Sequence, residues 1–152
     1  MPWAIPEYKL TTRTVAGKAE VLDVLRKKYV RLTAEEEVRQ RLVHYLLHDI
    51  GVPAQLMAVE RGLKYNELEK RFDLLVYGRS GRPLLLAECK TSNYKLKPDA
   101  VLQAAVYNSQ FAAPYVLVTN GHDLYVYVTT PTGSTSRLAT LPSFDEMNGQ
   151  LF

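Results

Sequence analysis

Leu84, Leu85, Leu86 and Ala87 form an unbroken apolar run inside the stretch RPLLLAECK, and charge returns only at its end, with Glu88 and Lys90. Side chains alternate along a strand, so a strand that is apolar at every position must be covered on both faces. That demand excludes a single sheet with one wet face and calls for a sheet flanked by helices. The preceding apolar run, RFDLLVYG at 71–78, carries one more acid, Asp73. Charges set into core-like strands need a reason, because an uncompensated buried charge is costly.

The rest of the pattern supplies the helices. Thr33 can cap a helix, with Glu36 three residues on completing a capping box, and Val38, Leu42, Tyr45 and Leu46 follow at helical spacing to about His48. Gly51 and Pro53 then stop it. Apolar runs at 55–63, 71–78 and 83–90, separated by the turn-forming stretches KYNELEK and RSGR, predict antiparallel strands. After Pro98, Val101, Leu102, Ala105 and Val106 restore the helical period, and Asp99 lies near its amino end. Runs at 115–121 and 124–130 predict two further strands around an Asn-Gly-His-Asp turn.

The expected order is therefore α-β-β-β-α-β-β, an α/β (α+β) class with a mixed sheet of about five strands flanked by helices. The second helix is long enough to serve as a crossover, so the third and fourth strands can lie parallel. In the first thirty residues Val21, Leu22 and Leu25 predict a short helix, and the tail is expected to add a short strand and a terminal helix.

At 152 residues the chain suits one domain over 1–152, with 1–30 an amino-terminal extension and 131–152 a carboxyl-terminal tail. The lone Cys89 excludes an intramolecular disulfide and a cysteine-based zinc cluster. No stretch approaches the roughly 20 apolar residues of a membrane span, and MPWAIPEYKL lacks the basic-then-apolar order of a secretory signal. No membrane partner is expected, and the expected location is the cytoplasm. A net charge of +3 and a pI near 8.9 suit a polyanionic partner.

If the hairpin turns near Ser80 and Gly81, Asp73 falls opposite Glu88 on the neighbouring strand. Glu88 and Lys90, two apart, share a face, and Cys89 points to the other. Two adjacent carboxylates repel, and a divalent cation relieves the repulsion; hard oxygen ligands fit Mg²⁺ or Mn²⁺. Lys90 can orient a water or offset charge on an attacked phosphate. The plainer alternative is an outward-facing set in which Lys90 simply neutralises Glu88. The apolar lead-in and the position at a strand's carboxyl end, where sheets with parallel character bind ligands, favour a site.

Helices add candidates. Glu35 lies on the side of Val38 and Leu42 expected to pack on the sheet, whereas Glu36 is engaged by the capping box, and either can supply a helix acid. Gln103 and Tyr107 are one turn apart and can contact phosphate or a base. Arg26, Lys27, Lys28, Arg31, Arg39 and Arg41 can form a phosphate-facing surface. His44 and His48 are also one turn apart, but no third ligand is evident, and they read as surface histidines.

Asp73, Glu88-x-Lys90 after a hairpin, an acid on the preceding helix and Gln103-x-x-x-Tyr107 on the following one together resemble the PD-(D/E)xK nuclease superfamily. More narrowly, residues 26 to 128 are similar to the amino-terminal nuclease domain of type I restriction enzyme R subunits. The resemblance implies a restriction-endonuclease-like fold and a Mg²⁺-dependent DNA endonuclease. It makes Asp73, Glu88 and the backbone carbonyl of Cys89 metal ligands, Lys90 the catalytic lysine, Glu35 or Glu36 the helix acid, and Gln103 and Tyr107 the glutamine-tyrosine motif. Phe72 stands where the superfamily name has proline, and these 152 residues hold no motor domain. The implied partner is DNA, reached as a homodimer or through a separate motor or targeting protein. A second expectation, from a different class, is a nucleic-acid-binding module of the same fold that lacks turnover.

Overall fold

The computed structural model of the protein describes residues 4–150, and the outermost residues of the 1–152 assignment lie outside the described residues. The apolar run becomes β6 (Pro83–Cys89), in which Leu84, Leu85, Leu86 and Ala87 are all fully buried. Cover comes from both sides, as the run requires. Leu85, Ala87 and Cys89 pack in one cluster with Val38, Leu42 and Val43 of α1 (Ala34–Tyr45). Leu86 faces the opposite layer, with Phe72, Phe111 and Ala113. On that same side Val101 and Ala105 of α2 (Pro98–Asn108) pack against Val116 and Val118.

The sheet has six strands in the order β4 (Met57–Tyr65), β5 (Leu68–Tyr77), β6, β7 (Tyr115–Thr119), β8 (Leu124–Thr129) and β9 (Thr135–Leu138). Among the described residues only β6 and β7 pair in parallel, and α2 is the crossover between them. The expected core order is thus present, and β9, drawn from the tail, raises five strands to six. The tail ends in α3 (Phe144–Gly149), opened by a capping box between Ser143 and Glu146. A helix α1 passes into one π-helical turn over Leu46–Ile50, and Gly51, with φ 81°, ends it. No helix among the described residues is long and apolar enough to cross a membrane.

The amino-terminal region departs from expectation. Val21 and Leu22 lie in a strand, β2 (Lys18–Asp23), within a separate three-stranded sheet with β1 (Thr12–Val15) and β3 (Lys28–Arg31). Asp23 is the physical reason. Fully buried, it accepts the N–H groups of Leu25 and Arg26 at 2.9 Å each, and the Arg26 guanidinium at 2.6 Å. A side chain that gathers the next two backbone donors makes a turn, so Leu25 falls in a connection between strands and not in a helix.

β5 and β6 are joined by a tight turn in which Gly81 adopts φ 86°. Their register pairs Val76 with Leu85, Leu75 with Leu86 and Leu74 with Ala87. The next rung would be Asp73 with Glu88, and there the ladder stops.

Candidate active site

The site lies where β5 and β6 part. In place of a backbone rung, the Asp73 carboxylate accepts the N–H of Cys89 through Oδ2 at 2.7 Å. The disturbance spreads to the other neighbour of β5. Val59 pairs with Leu74 and Arg61 with Phe72, but Glu60, between them, takes a left-handed backbone with φ 51° and is skipped. Phe72 and Leu74 accordingly join clusters on opposite faces despite being two apart. A break in alternation at this point brings the Asp73 side chain to the gap between strands.

Burial pushes the Asp73 carboxyl above the ordinary range, the Cys89 N–H and the Arg39 guanidinium pull it back, and the nearby Glu88 charge pushes it up again. The Lys90 charge acts in the lowering direction. Glu88 and Lys90 therefore both lie near enough to Asp73 to act on its charge. Cys89 turns its thiol into the core on the α1 side, where burial raises its pKa further and leaves it unreactive.

On α1 the structure reverses the expected roles of two acids. Glu36 is buried and Glu35 is exposed. The helix phase is set by Val38, Leu42, Val43 and Leu46, all fully buried. Their common face includes Glu36, one turn before Gln40 and two before Val43, while Glu35 is rotated about 100° away. Thr33 does cap the helix, accepting the Glu36 N–H at 3.0 Å. The Glu36 carboxylate does not complete the box, because Arg39 Nε donates to it at 2.9 Å and Gln40 Nε2 at 3.1 Å. Burial works against its charge, but these donors prevail and hold its carboxyl below the usual range.

Arg39 is the hub of this side. Its Nη1 also donates to Glu60 at 3.2 Å and lies 4.0 Å from Asp73 Oδ1. Arg26 extends the cluster, at 3.6 Å from Glu36 and 3.7 Å from Glu60. Arg39 and Arg26 are thus turned inward to acids and do not form the phosphate-facing surface anticipated for them. Lys27 and Lys28, in the turn before β3 and at its start, are exposed.

The other side is built from residues not singled out in the sequence. Glu88 Oε1 accepts Asn108 Nδ2 at 3.1 Å and forms an ion pair with Lys70, and Lys70 donates to Asn108 Oδ1 at 2.8 Å. Lys70 Nζ also stands 5.4 Å from the Phe72 ring centroid and 5.5 Å from that of Tyr107. Tyr107 is tied to the site through Lys70, and Gln103 is exposed one turn earlier on α2. A signal for Asn108 existed: it continues the buried stripe of Val101 and Ala105, where a polar group must find a partner.

Lys90 is anchored by its own N–H to the Thr119 carbonyl at 2.8 Å, at the end of β7. Glu88 and Lys90 line one open cleft of about 300 Å³ bounded by α2 and the loop that precedes it. His44, at the other end of α1, stacks on Tyr8 and on His48 of the π-helical turn, and the Tyr8 and His48 rings are tilted.

The donor set is compatible with a hard cation. Asp73 and Glu88 each place one oxygen on a protein N–H, which leaves Asp73 Oδ1 and Glu88 Oε2 without a hydrogen-bond donor among the described residues. No group of three or more His, Cys, Asp or Glu side chains able to hold an ion occurs among the described residues. A cation here would complete its sphere with backbone carbonyl, water and substrate oxygens, as Mg²⁺ commonly does.

A helix-flanked mixed sheet whose central hairpin opens onto Asp, Glu-x-Lys and an inward helix acid defines a restriction-endonuclease-like domain. The model of the family described as type I restriction enzyme R protein N terminus (HSDR_N) matches residues 34–142, and the chain belongs to that family. Its fold is similar to a fragment described as the HsdR subunit of a type I restriction enzyme from Vibrio vulnificus YJ016, with a TM-score of 0.55 and 20% identity. That likeness covers 79% of this chain and 25% of the other, so the chain spans about a quarter of that fragment's length. A DUF820 protein from Anabaena variabilis ATCC 29413, described as a nuclease, aligns over 97% of this chain and 94% of its own, with a TM-score of 0.49 and 12% identity. No curated protein matches the chain.

Proposed function

We propose that the protein is a metal-dependent deoxyribonuclease that cuts DNA internally. The observation that supports it most is the meeting of Asp73, Glu88 and Lys90 where β5 and β6 separate, in a member of this family. Asp73, Glu88 and the Cys89 carbonyl would hold Mg²⁺ or Mn²⁺, which supplies a polarised water and charge neutralisation when bound. Lys90 Nζ would orient that water and donate to a phosphoryl oxygen as negative charge develops. Water oxygen forms the new bond to phosphorus as its proton passes to bulk water, one phosphodiester P–O bond breaks, and the departing alkoxide takes a proton from bulk water, so that a phosphomonoester and a free hydroxyl result. Glu36 acts through Arg39, which it positions so that the guanidinium sets a positive charge 4.0 Å from Asp73. Gln103, Tyr107, Lys27 and Lys28 would contact the DNA from α2 and the β2–β3 turn. A cytoplasmic location, a homodimer and a separate motor or targeting partner complete the reading.

The test is cleavage of a supercoiled plasmid with Mg²⁺, Mn²⁺ or EDTA. Cutting should require the divalent ion and fall at least about a hundredfold in Lys90→Ala, a loss of the size expected when one charge-stabilising donor is removed. Undiminished cutting by folded Lys90→Ala protein overturns the mechanism. One observation favours the binding-module reading: Lys70 already neutralises Glu88 without any ion. DNA binding with no cleavage under either metal would select it.

A further inference from the structure

We infer that the cleft beside Lys90 is a subsite for an unpaired nucleotide, so that the substrate is DNA single-stranded or extruded next to the scissile phosphate. This rests on the reading of Lys90 as the catalytic lysine, and it names the form of substrate which that site takes.

The cleft has three parts, each suited to a different part of a nucleotide. Its floor is apolar, made by Leu96, Val101 and Val118, all nearly buried. On α2, Ala100 and Ala104 line it with the smallest side chains that keep the helix, and so leave room for a flat ring. Three cations, Lys90, Lys95 and Lys97, line it beside one carboxylate, Glu88. Among the described residues none of these three forms an ion pair, whereas Lys70 is committed to Glu88. Unpaired ammonium groups around an apolar floor match a phosphate attached to a base.

The third part is Tyr94. The residue is 52% exposed, with the ring centroid 5.4 Å from Lys90 Nζ. An exposed aromatic on a loose loop would mean little, but this loop is fastened. The Tyr94 N–H reaches the Thr91 carbonyl at 3.0 Å, and its own carbonyl accepts Asn120 Nδ2 at 2.6 Å. The loop end is seated by Leu96 in the core. An exposed ring carried on a fastened backbone beside the reacting lysine is a stacking platform for a base. Bases inside a duplex are stacked on both faces and cannot reach it without extrusion.

The test separates the subsite from the chemistry. Binding of a fluorescent oligothymidylate and of a matched duplex is measured by anisotropy in EDTA, with wild type, Tyr94→Ala, Tyr94→Phe and, as control, Tyr65→Ala, an exposed tyrosine outside the cleft. The single strand should bind more tightly than the duplex. Tyr94→Ala should lower the ratio of single-strand to duplex affinity by about tenfold, the usual worth of one base–aromatic stack. Tyr94→Phe and Tyr65→Ala should keep the wild-type ratio. A Tyr94→Ala ratio equal to wild type, duplex preferred over single strand, or no single-strand binding each overturns the subsite. Cleavage is assayed in parallel on a duplex with and without an unpaired flap. A response of the binding ratio to Tyr94→Ala with no cleavage of either DNA upholds the subsite and overturns the hydrolase reading; flap-independent cleavage with an unresponsive ratio does the reverse.

Discussion

On the α1 side of Asp73, Arg39 is buried against Glu36 and Glu60, with Arg26 closing the cluster behind it. On the α2 side, Lys90, Lys95 and Lys97 line an open cleft and form no ion pair among the described residues. Both sides are rich in positive charge, yet they use it differently. Guanidinium groups, planar and multiply donating, are spent on fixed acids, while these three ammonium groups, unlike Lys70, are left for what enters from solvent. The first arrangement shapes the site, and the second can exchange partners.

That contrast breaks most sharply at Arg39. Arg39→Ala leaves Glu36 buried without its main donor and should cost about 3–5 kcal/mol, read as a lower urea midpoint with unchanged slope. A cost below about 1 kcal/mol would mean that the α1 cluster is no more structural than the lysine rim.

A pH series sharpens it next. Glu36 has its carboxyl held below the ordinary range in the folded protein, so it contributes stability above its unfolded pKa that is lost as pH falls through the depressed folded value. Asp73 has the opposite sign. Its folded pKa is raised, so the favourable contribution belongs to the protonated form at low pH and is lost as pH rises through the folded value. Glu36→Gln should therefore lower Tm at pH 7 and flatten the acid limb, whereas Asp73→Asn should raise Tm at pH 7 and leave it unchanged at pH 3. Mg²⁺ should raise the wild-type Tm at pH 7 and not that of Asp73→Asn.

The smallest effect belongs to Lys70. It is partly exposed, and its pair with Glu88 is screened by solvent, so Lys70→Ala should cost at most about 1 kcal/mol by urea unfolding. The same variant should raise the affinity for Mg²⁺ in calorimetry, since Glu88 loses a competing cation.

Much of this was legible from local pattern. The apolar run Leu84–Ala87 announced a strand covered on both faces, and the short RSGR turn set the register that pairs Leu74 with Ala87, one step before Asp73 and Glu88. The spacing of Val101 and Ala105 gave the crossover that makes β7 parallel. What failed were readings that depend on rotation or on distant partners. Glu35 and Glu36 differ by one residue, a turn of about 100° on a helix, and the capping signal drew attention away from the buried one. Val21, Leu22 and Leu25 fit a helical period as well as a strand followed by a turn, and only the burial of Asp23 decides between them. Lys70 and Asn108 meet across 38 positions, and Arg39 and Glu60 across 21, separations that no local period reports.

The bond from Cys89 N–H to the Asp73 carboxylate has a practical consequence. One side chain there serves both as a charge and as a clasp between two strands, so shortening it to alanine unfastens the hairpin in the same stroke that removes the anion. Asparagine retains an oxygen for the clasp and isolates the charge, which makes it the cleaner substitution for asking what the anion itself contributes.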